Sequence, residues 1–380
     1  YIGQMRIVLS GGGTGGHFYA LMAVAEAVKD IAESEKILPP EFFFLSPTPY
    51  DERALFEEDI AYRSVSAGKL RRYFSLRNLT DSVTTFFGII GAILTLYRIY
   101  PDVVFAKGGY ASFPVLFAAR FLHIPVVIHE SDVKPGRVNS WAGKFARRVA
   151  VSYPECAKHF PNEKVFISGQ PIRKRLLLPI KEGAAEFLKL EEGVPVILII
   201  GGSQGAEVIN NAILDLLPQL VPSYQVVHQV GDEHISAVEG TSRVILGDSK
   251  FKERYRPFGF LNELALRMSA GIAEIAVTRA GSGLFEFGAW GMPTIIVPIP
   301  EEVSHDQTGN AFAYARSGAG VVIAEKNLTP AVLKFEIDRL MNDQAARKTM
   351  SEAATTFVSK DAAQKIGYEL LSIAVAHERG

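Results

Sequence analysis

Arg6-Ile7-Val8-Leu9-Ser10-Gly11-Gly12-Gly13-Thr14-Gly15-Gly16-His17 decides the fold. A short apolar strand runs into a glycine turn, and an amphipathic helical pattern follows from Phe18. Such a strand–turn–helix unit aims backbone N–H groups at phosphate. The device returns where Val194–Ile200 runs into Gly201-Gly202-Ser203-Gln204-Gly205-Ala206. Two copies predict an α/β protein of two Rossmann-like, doubly wound domains flanking a cleft. The first copy ends in a histidine, which a pure phosphate cradle does not need.

The chain has 380 residues, 48% hydrophobic and 21% charged, enough for two sizeable cores. A formal net charge of −1 gives no global reason to bind nucleic acid. The single cysteine, Cys156, excludes an intrachain disulfide and a cysteine metal cluster, and it fits a reducing compartment. No signal peptide is expected before Met5. The longest apolar stretch, Phe86–Tyr97, is interrupted by Gly88, Gly91 and Thr95. It reads as shorter than the ~20 residues a spanning helix needs, so membrane contact without crossing is expected.

Strand-like runs alternate with helical patterns throughout, the mark of parallel βαβ units. In the first half, strands are expected at Arg6–Ser10, Glu41–Leu45, Asp102–Ala106, Pro125–His129, Arg148–Ser152 and Val165–Ser168. The second half predicts strands at Val194–Ile200, Gln225–Gln229, Arg243–Leu246, Ala273–Thr278, Thr294–Val297 and Gly320–Ile323. The composition breaks at Gly169-Gln170-Pro171-Ile172-Arg173, which places a domain boundary there. Residues 1–168 then form one domain and 169–359 the other, and a last helix, 360–380, packs back on the first.

The Gly11–His17 loop is a poor dinucleotide fingerprint, because Glu41–Leu45 is followed by Ser46-Pro47-Thr48 with no acidic residue for a ribose. It is not an ATP-binding P-loop either, since no Lys-Ser/Thr pair follows the last glycine. The remaining reading is a turn that brings a diphosphate and a sugar close to Gly12, Gly13, Thr14, Gly15 and Gly16 while presenting His17. At a helix N-terminus the imidazolium is disfavoured, which suits a general base. Helix capping or simple ligand holding is the plainer role for His17.

A second glycine corner, Lys107-Gly108-Gly109-Tyr110, precedes a helix with Pro114 near its start. Lys107 either adds charge to this anion site or is a solvated strand-end lysine. In the second half, Ser203 and Gln204 can donate to phosphate. Arg279-Ala280-Gly281-Ser282-Gly283-Leu284-Phe285-Glu286 then opens another helix. Glu286 can accept both hydroxyls of a ribose while the amides of Ser282, Gly283 and Leu284 face phosphate; a plain dipole-stabilising glutamate is the alternative. Asp306-Gln307 stand in a polar loop suited to sugar hydroxyls. No metal or cofactor is implied, as there is no Asp-x-Asp pair at a strand end and no His/Cys ligand spacing. Arg173 and helix dipoles are left to stabilise a departing diphosphate.

Lys69-Leu70-Arg71-Arg72-Tyr73-Phe74-Ser75-Leu76-Arg77 has four cations and no anion, and the apolar segment with Phe86 and Phe87 follows. This is how a peripheral protein sits on an anionic lipid surface, although a solvated loop beside a core helix has the same composition.

Gly12–His17, Gly108-Gly109-Tyr110, His129-Glu130, Gly169–Arg173, Gly201–Ala206, Arg279–Glu286 and Asp306-Gln307 with Asn310-Ala311 follow one another along nearly the whole chain. In this order they resemble the MurG family of N-acetylglucosaminyltransferases, which converts lipid I to lipid II in bacterial cell-wall synthesis. The resemblance implies a GT-B fold and inverting, metal-independent transfer, with UDP-N-acetylglucosamine (UDP-GlcNAc) on the second domain. A polyprenyl-diphosphate-linked muramyl peptide would sit on the first. It implies that Ser203 and Arg173 lie near the diphosphate, the Leu261 backbone holds uracil, Glu286 holds ribose, and Asp306 and Gln307 hold the sugar. His17 is the base it implies, with Thr14–Gly16 beside the sugar. Residence on the cytoplasmic face of the plasma membrane and cell-wall synthesis proteins as partners are implied as well.

Three departures stand out. Ser131-Asp132 replaces the family's usual Gln-Asn, the Arg279–Glu286 loop is one residue shorter, and Asp306 stands where glutamine is common. Asp132 can accept from a sugar hydroxyl but not donate. Two rival enzymes, a diacylglycerol glycosyltransferase and a UDP-GlcNAc 2-epimerase, and a non-catalytic nucleotide-sugar-binding protein share parts of this pattern.

Overall fold

The computed structural model describes residues 4–68, 77–202, 206–300 and 307–378. It divides into two units, residues 1–173 with 359–380, and residues 174–358.

The first unit carries strands β1 (Arg6–Ser10), β2 (Glu41–Ser46), β3 (Ile60–Ser64), β4 (Val103–Ala106), β5 (Val126–Glu130), β6 (Arg148–Val151) and β7 (Val165–Ile167). They form one sheet in the order β3-β2-β1-β4-β5-β6-β7, and every pair is parallel. The second unit carries β8 (Val196–Ile200), β9 (Gln225–Gln229), β10 (Tyr255–Phe258), β11 (Ala273–Thr278), β12 (Thr294–Ile296) and β13 (Gly320–Val322), in the order β10-β9-β8-β11-β12-β13, again all parallel. In each sheet the strand order reverses once, between β1 and β4 and between β8 and β11. Ligands of open α/β sheets bind outside the carboxyl ends of the strands at such reversals. Gly11–Gly16, Gly108-Gly109, Gly201-Gly202 and Arg279–Gly283, singled out for their glycines, lie there.

The helix Gly15–Ser34 buries Phe18, Leu21, Val24, Val28 and Ile31 against Ile7 and Leu9 of β1. The last helix, Ala362–Glu378, adds Ile366, Leu370 and Ala374 to the same core. Gly367 lets the two helices approach closely, since a Cβ there would meet Ile31 at 2.9 Å. Gly169–Arg173 stays with the first unit, where the Arg173 guanidinium stacks 4.1 Å from the Tyr19 ring centre.

Three expectations need correction. Arg243–Leu246 is no strand but the end of the helix Ile235–Leu246. The apolar stretch Phe86–Tyr97 is part of a 23-residue helix, Arg77–Ile99. Within it Thr80–Ile99, mean hydropathy 1.5, is long and apolar enough by length and composition to cross a membrane. In the structure this helix connects β3 to β4 and buries Gly88, Ala92, Leu96 and Ile99 along one face. The edge strands β3 and β10 were not expected. β3 is half exposed and begins after Asp59 at φ 47°, and β10 contains Pro257, a residue sheets tolerate at an edge.

Candidate active site

At the β1–β4 reversal, Lys107 N–H donates to the Ser10 carbonyl at 3.0 Å, which ties the two strand ends together. Thr14 precedes the helix Gly15–Ser34, and its carbonyl accepts from His17 N and Phe18 N, both at 3.2 Å. His17 is therefore the third helical residue, half-buried, in a first turn with no acidic side chain. Gly13 and Thr14 are exposed. Gly13, at φ 86°, faces Tyr110, whose Cε1 would lie 3.3 Å from a Cβ placed there. Gly109, at φ 77°, faces His17 in the same way: a Cβ would stand 3.4 Å from Cε1 and Nδ1 of the ring. The loops after β1 and β4 thus pack against each other, and His17 is held against Gly109.

Glu130, buried at the end of β5, accepts from Ser131 N at 2.8 Å, Asp132 N at 3.1 Å, Gly136 N at 2.9 Å and Asn139 Nδ2 at 3.0 Å. Burial above all, with Asp132 adding, pushes its carboxyl above the usual range. Four donors on two oxygens fit the ionised form. This carboxylate shapes the turn that carries Asp132, which is half-buried. Asn139 also donates to the His129 carbonyl at 3.0 Å and lies where a Cβ on Gly108 (φ 77°) would clash at 2.5 Å.

Lys107 is neither of the things expected from the sequence. It is 2% exposed, so it is not a solvated strand-end lysine, and its ammonium points to His129, Ser131 and Gln170 rather than into an anion site.

In the second unit, Gln229 ends β9, buried, and bridges two loops. Its Nε2 donates to the Gly202 carbonyl at 3.0 Å and its Oε1 accepts from Leu261 N at 2.9 Å. The Leu261 amide is thus already committed, and a base reaching this backbone has the carbonyl to use or Gln229 to displace. Gln307 Oε1 accepts from Ala280 N at 3.1 Å and Ile299 N at 3.4 Å, which leaves its Nε2, beside Gly281, as the end able to meet a ligand. Asn310 Nδ2 donates to the Ala280 carbonyl at 3.0 Å, and Arg279 pairs with Glu325 at 2.5 Å. Ser282 and Gly283 precede the helix Leu284–Ala289, with half-buried Glu286 in its first turn.

Ser203 and Asp306, and Lys69, Arg71, Arg72 and Phe74 of the basic stretch, lie outside the described residues. Phe86 and Phe87 are 61% and 64% exposed. Sequence reasoning gave no role to His129, Glu130, Asn139, Gln170 or Gln229. For His129, Glu130 and Gln229 the signal was there, as polar residues at the carboxyl ends of apolar parallel strands are buried and must find partners.

Two units of parallel sheet, each with glycine loops at its reversal point, define the GT-B fold class, in which glycosyltransferases and nucleotide-sugar epimerases both occur. The chain belongs to glycosyltransferase family 28: residues 7–151 match the family's N-terminal domain and residues 196–366 its C-terminal domain. It is 34% identical over 365 residues to a UDP-N-acetylglucosamine--N-acetylmuramyl-(pentapeptide) pyrophosphoryl-undecaprenol N-acetylglucosamine transferase of Bacillus thuringiensis subsp. konkukian, covering 95% of this chain and 97% of the relative. The protein of the same description from Lachnospira eligens is 34% identical, covering 89% and 92%. Among solved structures, MurG of Acinetobacter baumannii matches with a TM-score of 0.72 at 23% identity, covering 97% of this chain and 99% of that one. A UDP-GlcNAc 2-epimerase from Neisseria meningitidis reaches 0.68 at 15% identity, covering 97% of this chain and 100% of that one, so the fold alone does not separate the two activities.

Proposed function

We propose that this chain transfers N-acetylglucosamine from UDP-GlcNAc to the 4-hydroxyl of the N-acetylmuramyl group of lipid I, giving lipid II for peptidoglycan synthesis. The observation that carries this reading is the 34% identity to N-acetylglucosamine transferases of that description over 95% of the chain. The second unit holds the donor: Glu286 accepts from the ribose, the Gly201–Ala206 loop and the Ser282–Leu284 amides face the diphosphate, and Gln307 Nε2 with Asp306 meets the sugar. The first unit holds the acceptor, with His17 taking the proton of the attacking hydroxyl. The acceptor oxygen bonds to the anomeric carbon, the bond to UDP breaks with its electron pair on the phosphate oxygen, and the configuration inverts. Arg173 and helix amide dipoles stabilise the departing diphosphate, so the step needs no metal.

Peripheral contact with an anionic membrane is part of the same reading. Val83, Phe86, Phe87, Ile90, Leu94 and Tyr97 are exposed along one face of the helix Arg77–Ile99, beside exposed Phe117 and Phe121 on the packed neighbour helix Phe113–Phe121. An apolar stripe of this size with cations at its start fits a lipid surface.

The test is an acceptor swap. Purified enzyme with labelled UDP-GlcNAc is offered lipid I, diacylglycerol or no acceptor. Label in a lipid-linked disaccharide with lipid I alone is expected. Label on diacylglycerol, or epimerised UDP-sugar with no acceptor present, overturns the reading.

A further inference from the structure

Lys107 has no part in the reaction just described, yet it is buried with its ammonium among three polar side chains. Its Nζ lies 2.5 Å from His129 Nδ1, 2.6 Å from Ser131 Oγ and 3.4 Å from Gln170 Oε1. Ser131 and Ser152 hydroxyls also donate to Gln170 Oε1, at 3.0 and 3.2 Å. His129 Nε2 lies 3.0 Å from the Gly169 carbonyl, which can only accept. The ring therefore carries its proton on Nε2, and its Nδ1 lone pair faces the lysine. An ammonium in this place has three donors for three acceptors. Burying an amine is costly, and an apolar side chain of the same length would fill the space without that cost.

The backbone of Lys107 joins this cluster to the catalytic turn. Its N–H holds Ser10, a Cβ on Gly11 would stand 3.2 Å from its Cβ, and Gly108-Gly109 follow directly, with Gly109 against the His17 ring. Asn139 closes the other side of the same turn.

We propose that Lys107 is a positioning residue of the transfer reaction: its ammonium locks His129, Ser131 and Gln170 into one buried cluster that fixes the Gly108-Gly109 turn, and through it the His17 ring. The proposal rests on the reading of the reaction given above. Burial lowers the ammonium to about 7, opposed by the charges of Glu130 and Asp132. The same burial, with Lys107 next, holds the His129 ring well below its ordinary value and so neutral. The titratable groups around the cluster are His129 and Glu130 on β5, Asp132 on the following turn, His17 on its helix, and Cys156, which senses both carboxylates. Loss of the lysine proton leaves two donors for three acceptors, and the lock loosens.

The test is the pH profile of acceptor kcat/KM for wild type and Lys107→Met, with donor KM measured alongside. Wild type is expected to lose efficiency as pH rises through about 7, and Lys107→Met to be flat there, about tenfold down on the acid side and little changed on the alkaline side. Donor KM should stay within about twofold. Side-chain nitrogen NMR of the wild type, which needs no variant to fold, should show His129 protonated on Nε2 across this range and Lys107 titrating near 7. A Lys107→Met profile parallel to wild type, a loss equal at every pH, or His129 protonated on Nδ1 overturns the proposal. Wild-type enzyme inactive on lipid I overturns the reaction itself, whereas an active wild type with an unmoved variant profile overturns the positioning role alone.

Discussion

His17 combines a helix start and a neighbouring turn in one side chain. Its place as third residue of the helix Gly15–Ser34 was legible, because glycines followed by an amphipathic run mark a helix start. Its packing against Gly109 was not legible, since that contact joins residues far apart in sequence through the β1–β4 pairing. Lys107 shows the same limit. A lysine after an apolar strand reads as solvated by default, and only the convergence of β5 and the Gly169–Gln170 segment reveals partners that keep it buried. Gln229 reads as the last polar residue of a strand until Gly202 and Leu261 are seen to flank it. At this scale the reaction makes one demand. His17→Ala should lower turnover by ~10²–10⁴, the usual worth of a positioned general base, with UDP-GlcNAc affinity within about twofold. Turnover unchanged in that variant removes His17 from the mechanism.

The strands buried on both faces were the most legible elements. Parallel strands under two helical layers are near-continuous apolar runs, and β1, β2, β9 and β11 lie where such runs stand in the sequence. The edge strands β7 and β13 still hold apolar runs and were expected, whereas Arg63 in β3 and Arg256-Pro257 in β10 break theirs, which is why those two were missed. Arg243–Leu246 looked like a strand because Val244, Ile245 and Leu246 are adjacent and apolar. In the helix they spread around the surface, and Val244 ends 83% exposed while Leu246 is buried. The helix Arg77–Ile99 is apolar on both faces, one packed on protein and one exposed, so periodicity alone could not assign its partner. Replacing Phe86 and Phe87 together with serine tests the exposed face. A phenylalanine moved into an apolar phase contributes about 1.5–3 kcal/mol, so the double variant should bind anionic vesicles at least about tenfold more weakly in co-sedimentation. UDP binding, which the proposed function assigns to the second unit, should be unaffected. Equal vesicle binding by the variant would reassign that face.

At the scale of the molecule, two units share one strand order, extended by a seventh strand in the first, and each places glycine loops where its sheet reverses, one with a histidine and one with a carboxylate. Family 28 membership and the sequence relatives choose a transferase among the activities this fold supports. The reaction then has a stereochemical signature that no binding protein, epimerase or retaining transferase shares. The decisive measurement is NMR of the disaccharide formed from UDP-GlcNAc and lipid I in excess chelator. The account predicts a new linkage at the muramyl 4-hydroxyl, with the anomeric configuration inverted and the chelator without effect. A retained configuration, or turnover abolished by the chelator and restored by a divalent cation, would contradict it.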